Sequence, residues 1–471
     1  MPRRSFLTRS AGGVGLLALS RLLDVDLGQA LALSASDSAV SPASATARSV
    51  ICLFQHGGPS QIDLFDPKPE MLRWDGQPYP HGELEIHAHK QSGNVLASPF
   101  KFRPHGQSGI ELSELLPHLA SVIDDVTLIR SMTTESVDHE AALRRFHTGR
   151  KDSGFPTWGS WVTYGLGTEC ENLPAYVVLS DPGGLPIDGN RNWSAGWLPA
   201  MNQGTAFRNA DDSPVANLRT PLNVSKGARQ GQLAFLRQLN THHLQQHPEN
   251  HELAARIQNF ELAAQMQTSV PNFLDTRGET AATQKMYGLD NEITREYGTR
   301  CLLARRLVEQ GVRFVQIFMS GQPWDTHTNN AGTLKELCAR SDQPAAALVR
   351  DLKERGLLES TIVVWGGEFG RLPVAQGIDG RDHNRHGFSL WIAGGGFRSA
   401  YVHGETDDFG YSAVRDPVSV HDLHATLLHA LGLNHVRLTY PHNGRETTLT
   451  DADVTRARVV HALLETASSK T

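Results

Sequence analysis

The run Ile362-Val363-Val364-Trp365 shows no polar alternation and stops at the pair Gly366-Gly367. A short unbroken apolar run of this kind marks a strand buried on both faces, and such strands belong to sheets covered by helices on either side. The surrounding pattern agrees. Helical spacing over Gly298–Gln310, Ala345–Arg355 and Val418–Leu431 is interleaved with strand patterns over Val312–Met319, Thr361–Trp365 and Ser389–Ile392, and further strands are predicted at Ser49–Phe54, Val126–Ile129 and Ala175–Leu179. The expected fold class is therefore α/β, a three-layer sandwich with a mostly parallel central sheet in which 50–54 and 361–365 lie side by side.

With 471 residues, the chain has room for one large domain, expected over 49–460 with a helical insertion around 228–296. A net charge of −6 with both signs mixed argues against a general nucleic-acid binder. The four cysteines, Cys52, Cys170, Cys301 and Cys338, are scattered without CxxC spacing, which indicates no zinc ribbon and leaves disulfide pairing open. Residues Pro2-Arg3-Arg4-Ser5-Phe6-Leu7-Thr8, the apolar segment Ala11–Leu23 and the small-residue site Ala30-Leu31-Ala32 look like a twin-arginine signal peptide over 1–32. A Ser/Ala-rich stretch, 33–48, follows as a predicted disordered spacer. The expectation is folded export through the Tat translocon to the periplasm or cell exterior. No later segment approaches ~18 consecutive apolar residues, so no membrane span is predicted in the mature chain.

Chemistry in an open α/β sheet gathers beyond the carboxyl ends of the strands, and that is where the ligand-type residues fall. Past Trp365 come Glu368, Asp382, His383 and His386 in a predicted loop, with Arg371, Arg381 and Arg385 either clamping a substrate or simply neutralising the acids. Past Phe54 come His56, the pair Gly57-Gly58, Ser60 and Asp63. Past Met319 come Asp325 and His327, an acid and an imidazole two apart. Asp138 and His139 open a helix over 141–146, where Asp138 reads either as a metal ligand or as an acidic N-cap. The run His242, His243, His247, His251 lies in a Gln-rich polar helix and reads as a solvated face.

This order of motifs resembles the alkaline phosphatase and sulfatase superfamily, and within it a Tat-exported family catalogued as domain-of-unknown-function family 1501. The marks, running from Cys52 to about Val454, are HGGPSQIDLFDPKPE, LLARRLVEQGVRFVQ, WDTH, VVWGGEFGR, GRDHNRHGFS and VHDLHATLLHALGL. The resemblance implies metal ligands at His56, Asp325, His327, Glu368 and either His383 or His386, and puts His139 at the nucleophile position; with the neighbouring acids of the same loops the expected metal set is His56, Asp138, Asp325, His327, Glu368, Asp382, His383 and His386, and the expected catalytic residues are His139, Arg371 and Arg385. It also exposes two departures. His139 occupies the position, nine before Thr148, where those enzymes carry formylglycine, Ser or Thr, and Phe369 replaces the second residue of their Asp-His or Asp-Asn pair.

Two functions follow. One is an exported metal-dependent hydrolase of sulfate or phosphate esters, small-molecule or glycan, that lacks the usual nucleophile and uses water activated at a bound cation. In it His139 is a metal ligand or a general acid, with a covalent phosphohistidine as the third and less favoured role. The other is a catalytically degenerate exported binding protein on the same fold. Mixed imidazole and carboxylate donors suit zinc, manganese or iron better than calcium.

Overall fold

Strand side chains alternate between faces, and here both faces are covered. In the strand Ser49–Phe54 (β1), Ile51 and Leu53 enter one buried cluster while Val50, Cys52 and Phe54 enter a second on the opposite side. The computed structural model describes residues 45–465 apart from 88–90, 171, 209–224, 248–252 and most of 254–272. The predicted signal peptide and most of the predicted spacer lie outside those residues.

The other strands of the central sheet are β2 (Val126–Thr133), β3 (Tyr176–Ser180), β4 (Thr205–Arg208), β5 (Phe314–Phe318), β6 (Thr361–Gly366), β7 (Phe388–Ala393), β8 (Tyr401–His403) and β9 (Val418–Ser419). Their order is β8-β2-β7-β6-β1-β5-β3-β4, with β9 also paired to β2. β1 lies parallel between β6 and β5, with Phe54 level with Gly366 on one side and Phe318 on the other. The expected α/β class and mostly parallel sheet are present, with β1 and β6 adjacent.

Helices α1 (His139–Thr148), α2 (Trp158–Leu166) and α6 (Val420–Ala430) pack Phe146, Trp161 and Leu427 on one face of the sheet; α4 (Arg295–Glu309) and α5 (Asn330–Glu354) pack Leu302 and Leu348 on the other. These are the three layers. Helix α3 (Lys226–Gln246) lies outside them, and its His242 and His243, with His247 just beyond, are exposed as expected of a solvated face; His251 is outside the described residues.

Several expectations need correction. β7 runs antiparallel to both β6 and β2, because the chain returns from β6 through a hairpin with no crossover helix. The stretch expected as a loop after β6 is that hairpin, Gly370–Gln376 against Gly380–Asn384, joined by Gln91–Val95 from the segment expected to be irregular. Helix α5 starts at 330, well before the expected 345, and runs through Pro344. Burial of Leu334, Leu337 and Cys338 outweighs the roughly 3 kcal/mol a mid-helix proline costs. Residues 46–48, expected to belong to a disordered spacer, are tied to the fold: Thr46 and Ala47 both donate to Ala430 O at 2.9 Å, and Arg48 to Ser360 O at 2.8 Å. All four cysteines are free. Among the described residues, no helix is long and apolar enough to cross a membrane.

His424 of α6 is buried between the sheet and α1, donates from Nε2 to Phe146 O at 2.8 Å, and burial pushes its pKa from 6.5 down to about 3. The folded state thus binds a proton less readily than the unfolded chain, so stability is fully present above 6.5 and drains as pH falls toward 3. At pH 5 the loss from this one group is about 2 kcal/mol. Melting temperatures taken between pH 8 and 4 should fall on acidification, and His424→Gln should flatten the slope; a slope unchanged in the variant contradicts the assignment.

Candidate metal centre

The register of β1 and β6 builds the centre. Since Phe54 is level with Gly366, the residues two places beyond them, His56 and Glu368, face each other at the strand ends, with His56 Nε2 3.7 Å from Glu368 Oε1. Gly57 N fixes that carboxylate by donating to Oε1 at 2.9 Å. Gly57 itself has φ +113° and no room for a Cβ, which would lie 2.4 Å from Asp325 N, so this turn needs glycine to let the loop after β5 approach. That loop delivers Asp325 and His327. Helix α1 delivers His139, whose Nδ1 donates to Glu368 Oε1 at 2.7 Å and whose Nε2 points at Asp325 Oδ2 at 3.3 Å. The hairpin delivers His383. Its Nε2 is 3.1 Å, and that of His327 3.0 Å, from Asp325 Oδ1.

Two donor groups result: His139, Asp325, His327 and His383, and then His56, His139 and Glu368, with the donor atoms of each lying within 4.8 Å of one another. The chemistry of these donors fits a cation. His383 Nδ1 donates to Val137 O at 2.6 Å and His327 Nδ1 to the Gln376 side-chain oxygen. Each ring thereby turns its Nε2 to the Asp325 carboxylate, and a cation between them would take the place of the proton that now joins the two. His56 is fully buried, yet neither ring nitrogen completes a hydrogen bond, although Glu368 and the backbone of Gly321 lie near. Leaving such a group unsatisfied costs about 1–3 kcal/mol.

The charges are strongly coupled. Burial raises the Asp325 pKa, but hydrogen bonds from His139, His327 and His383 and the Arg371 guanidinium outweigh it and hold the carboxyl far below its ordinary range. Burial disfavours a charged His139, yet contact with the Asp325 and Glu368 carboxylates lifts it to about 9. Burial lowers His56, and lowers His383 to about 4 despite its bond to Asp325.

Other predicted residues are placed differently. Asp138 is exposed and caps α1, accepting from Ala141 N at 3.0 Å, so it stands outside both groups. Asp382 alternates with His383 along its strand and so faces away from the centre, accepting from His87 N at 2.9 Å. Arg385 and His386 turn outward onto Glu85, at 2.8 and 2.7 Å. Arg371 is completely buried and spends its guanidinium on the carbonyls of Gly57, Gly58, Trp324 and Arg381 and on Asp325 at 2.8 Å. It orients Asp325 rather than facing open space. Arg381 pairs with the buried Asp63 at 2.8 Å, the neutralising role weighed for these arginines. Phe369 packs against the cluster, its ring 4.8 Å from that of His139 and 4.5 Å from that of His383.

Sequence reasoning missed four contributors. Gln376 and the Val137 carbonyl orient imidazoles, and contacts of this kind leave no sequence signal. His87, whose ring stacks on His383 at 4.9 Å, and Glu85, which ties its segment to Arg385 and His386, lie in a stretch whose richness in His was the available clue.

A family model described as "Protein of unknown function (DUF1501)" matches residues 47–464. The chain belongs to that family. No curated protein matches this DUF1501 chain significantly. Among solved structures it is similar to the lipoteichoic acid synthase LtaP from Listeria monocytogenes, at TM-score 0.35 and 8% identity, covering 89% of this chain and 79% of that one. PsFucS1 sulfatase from Pseudoalteromonas sp. gives 0.36 and 13%, covering 85% and 72%. Phosphonate monoester hydrolase SpPMH from Silicibacter pomeroyi gives 0.32 and 11%, covering 73% and 72%. Likenesses this distant say nothing of reaction or substrate.

Zinc or manganese added to metal-free DUF1501 protein should raise its melting temperature. At about 100-fold excess over Kd the gain is about 2.7 kcal/mol. His56→Ala should shrink that shift, and a melting temperature indifferent to every divalent ion contradicts the centre.

Proposed function

We propose that this chain is an exported, metal-dependent hydrolase of sulfate or phosphate esters that works without a formylglycine, Ser or Thr nucleophile. The observation that carries the reading is the buried His56, its ring nitrogens unpartnered beside Glu368 and His139 at the ends of β1 and β6. His56, His139, Glu368, Asp325, His327 and His383 would hold the metal, and zinc, manganese or iron suits their mixed donors. When bound, the metal supplies Lewis-acid stabilisation of charge on the sulfuryl or phosphoryl group and a water acidic enough to attack it near neutral pH.

The protein's own part is positioning. Arg371 and the glycine pair fix the loop after β1 against Asp325, while Val137 O and Gln376 hold the His383 and His327 rings with Nε2 inward. His139 takes the nucleophile's place, and both its nitrogens face carboxylates, which favours a ligand role over delivery of a proton to the leaving group. Phe369 excludes water from the flank of the His139 and His383 rings. The loss of both a hydroxyl nucleophile and the ligand at 369 also supports a second reading, a binding protein for an anionic glycan or envelope component on the same scaffold.

Metal-replete protein assayed on aryl sulfates, phosphate mono- and diesters and glycan sulfates should show turnover that chelation abolishes and that formylglycine-trapping reagents leave alone. Glu368→Gln should reduce it on the order of 10²-fold or more. Inertness across the panel, with binding of an anionic glycan, moves the choice to the second reading. Export is tested separately: Arg3→Lys with Arg4→Lys should trap precursor in the cytoplasm, and unchanged export contradicts the Tat route.

A further inference from the structure

We infer that His139 bridges two divalent metal ions, one held on its Nδ1 side with His56 and Glu368, the other on its Nε2 side with Asp325, His327 and His383. The inference rests on the metal-centre reading above and deepens it. His139 is the residue common to the two donor groups, and its two nitrogens face different carboxylates. Its Nδ1 lies 2.7 Å from Glu368 Oε1, and its Nε2 lies 3.3 Å from Asp325 Oδ2. The two nitrogens of an imidazole point outward in diverging directions, so an ion on one cannot also touch the other. A single ion would leave one of the two groups unfilled, and in particular would leave either His56 unpartnered or the His327 and His383 Nε2 atoms facing Asp325.

The spacing suits ions. Ligands about 2.0–2.3 Å from a tetrahedral centre sit about 3.3–3.8 Å from one another. The His139 to Asp325 contact at 3.3 Å and the His56 to Glu368 contact at 3.7 Å match that, and the His327 and His383 contacts at 3.0 and 3.1 Å come near. The 2.7 Å contact of Nδ1 with Glu368 has hydrogen-bond length and must open by a fraction of an ångström on loading. Each ring nitrogen is directed at a carboxylate, where an ion would sit. An ion on each nitrogen would make the ring a bridging imidazolate, its N–H protons released to water. The bridge also accounts for the departure at the nucleophile position: an imidazole spans two ions that a shorter hydroxyl side chain would have to approach from one side. Once both nitrogens are coordinated, His139 has none left to act as a general acid.

The test uses full-length mature protein, freed of metal and titrated with Cu(II), with bound copper measured by mass spectrometry and unpaired spins by electron paramagnetic resonance. The expected result is two coppers per chain with far fewer visible spins than coppers, since ions joined through an imidazolate are exchange-coupled. His139→Ala should uncouple them, giving visible spins equal to bound copper, and added imidazole should restore the coupling. That rescue separates bridging from a merely structural role. Saturation at one copper per chain overturns the bridge, and so does wild-type protein that binds two coppers with all spins visible. Coupled ions in a protein inert to every ester would sink the hydrolase reading and leave the bridge standing, so the two failures are distinguishable.

Discussion

The arrangement depends on one buried cation, the Arg371 guanidinium. It bonds the carbonyls of Gly57 and Gly58 after β1, the carbonyl of Trp324 and the carboxylate of Asp325 after β5, and the carbonyl of Arg381 on the neighbouring hairpin strand. Three separate stretches of chain are thereby locked at one edge of the sheet. A buried guanidinium left without these acceptors would cost several kcal/mol, so the loops are held together as firmly as the core beneath them. The candidate ligand residues inherit that rigidity, which a metal centre would require, because coordination tolerates only small displacements of its donors.

Beneath that lock the sheet supplies position by simple counting. Parallel strands in register end at the same level, and the two residues beyond Phe54 and beyond Gly366 bring an imidazole and a carboxylate into opposition. Helix α1 enters from one covering layer and the hairpin folds back over the edge, so His139 and His383 meet with ring centroids 4.3 Å apart. Residues distant in sequence form one polar cluster because the strand order places β1 between β6 and β5. The acids inside it are kept ionised by imidazoles and Arg371 against the cost of burial.

Much of this was legible in the sequence. Unbroken apolar runs at 50–54 and 362–365 announced strands covered on both faces, and ligand-type residues just past them announced the edge where the cluster forms. His56, Glu368 and His383 follow those runs, Asp325 and His327 follow the strand that ends at Met319, and His139 stands at a helix start and at the position the resemblance assigns to the nucleophile. What sequence could not resolve was direction. Asp382 and His383 are neighbours, and only the register of a hairpin that looked like a loop decides which one points inward. Arg371, Arg381 and Arg385 look alike in sequence, yet burial makes two of them internal ties and leaves the third on Glu85. Asp138 carried two readings from the start, and the helix start at His139 selected the cap. The antiparallel β7 was hidden because a fully buried strand reads the same in either direction.

The account's central claim is that this cluster is a metal centre. X-ray diffraction from crystals of protein purified without chelator, collected above and below the absorption edge of the metal found by fluorescence, tests it most directly. An anomalous difference peak within about 2.0–2.3 Å of donor atoms from His56, His139, Glu368 or from Asp325, His327, His383 is the predicted result. The account is contradicted by a map with no anomalous density among these residues even after soaking in zinc and manganese, with the His56 nitrogens satisfied by ordered water instead.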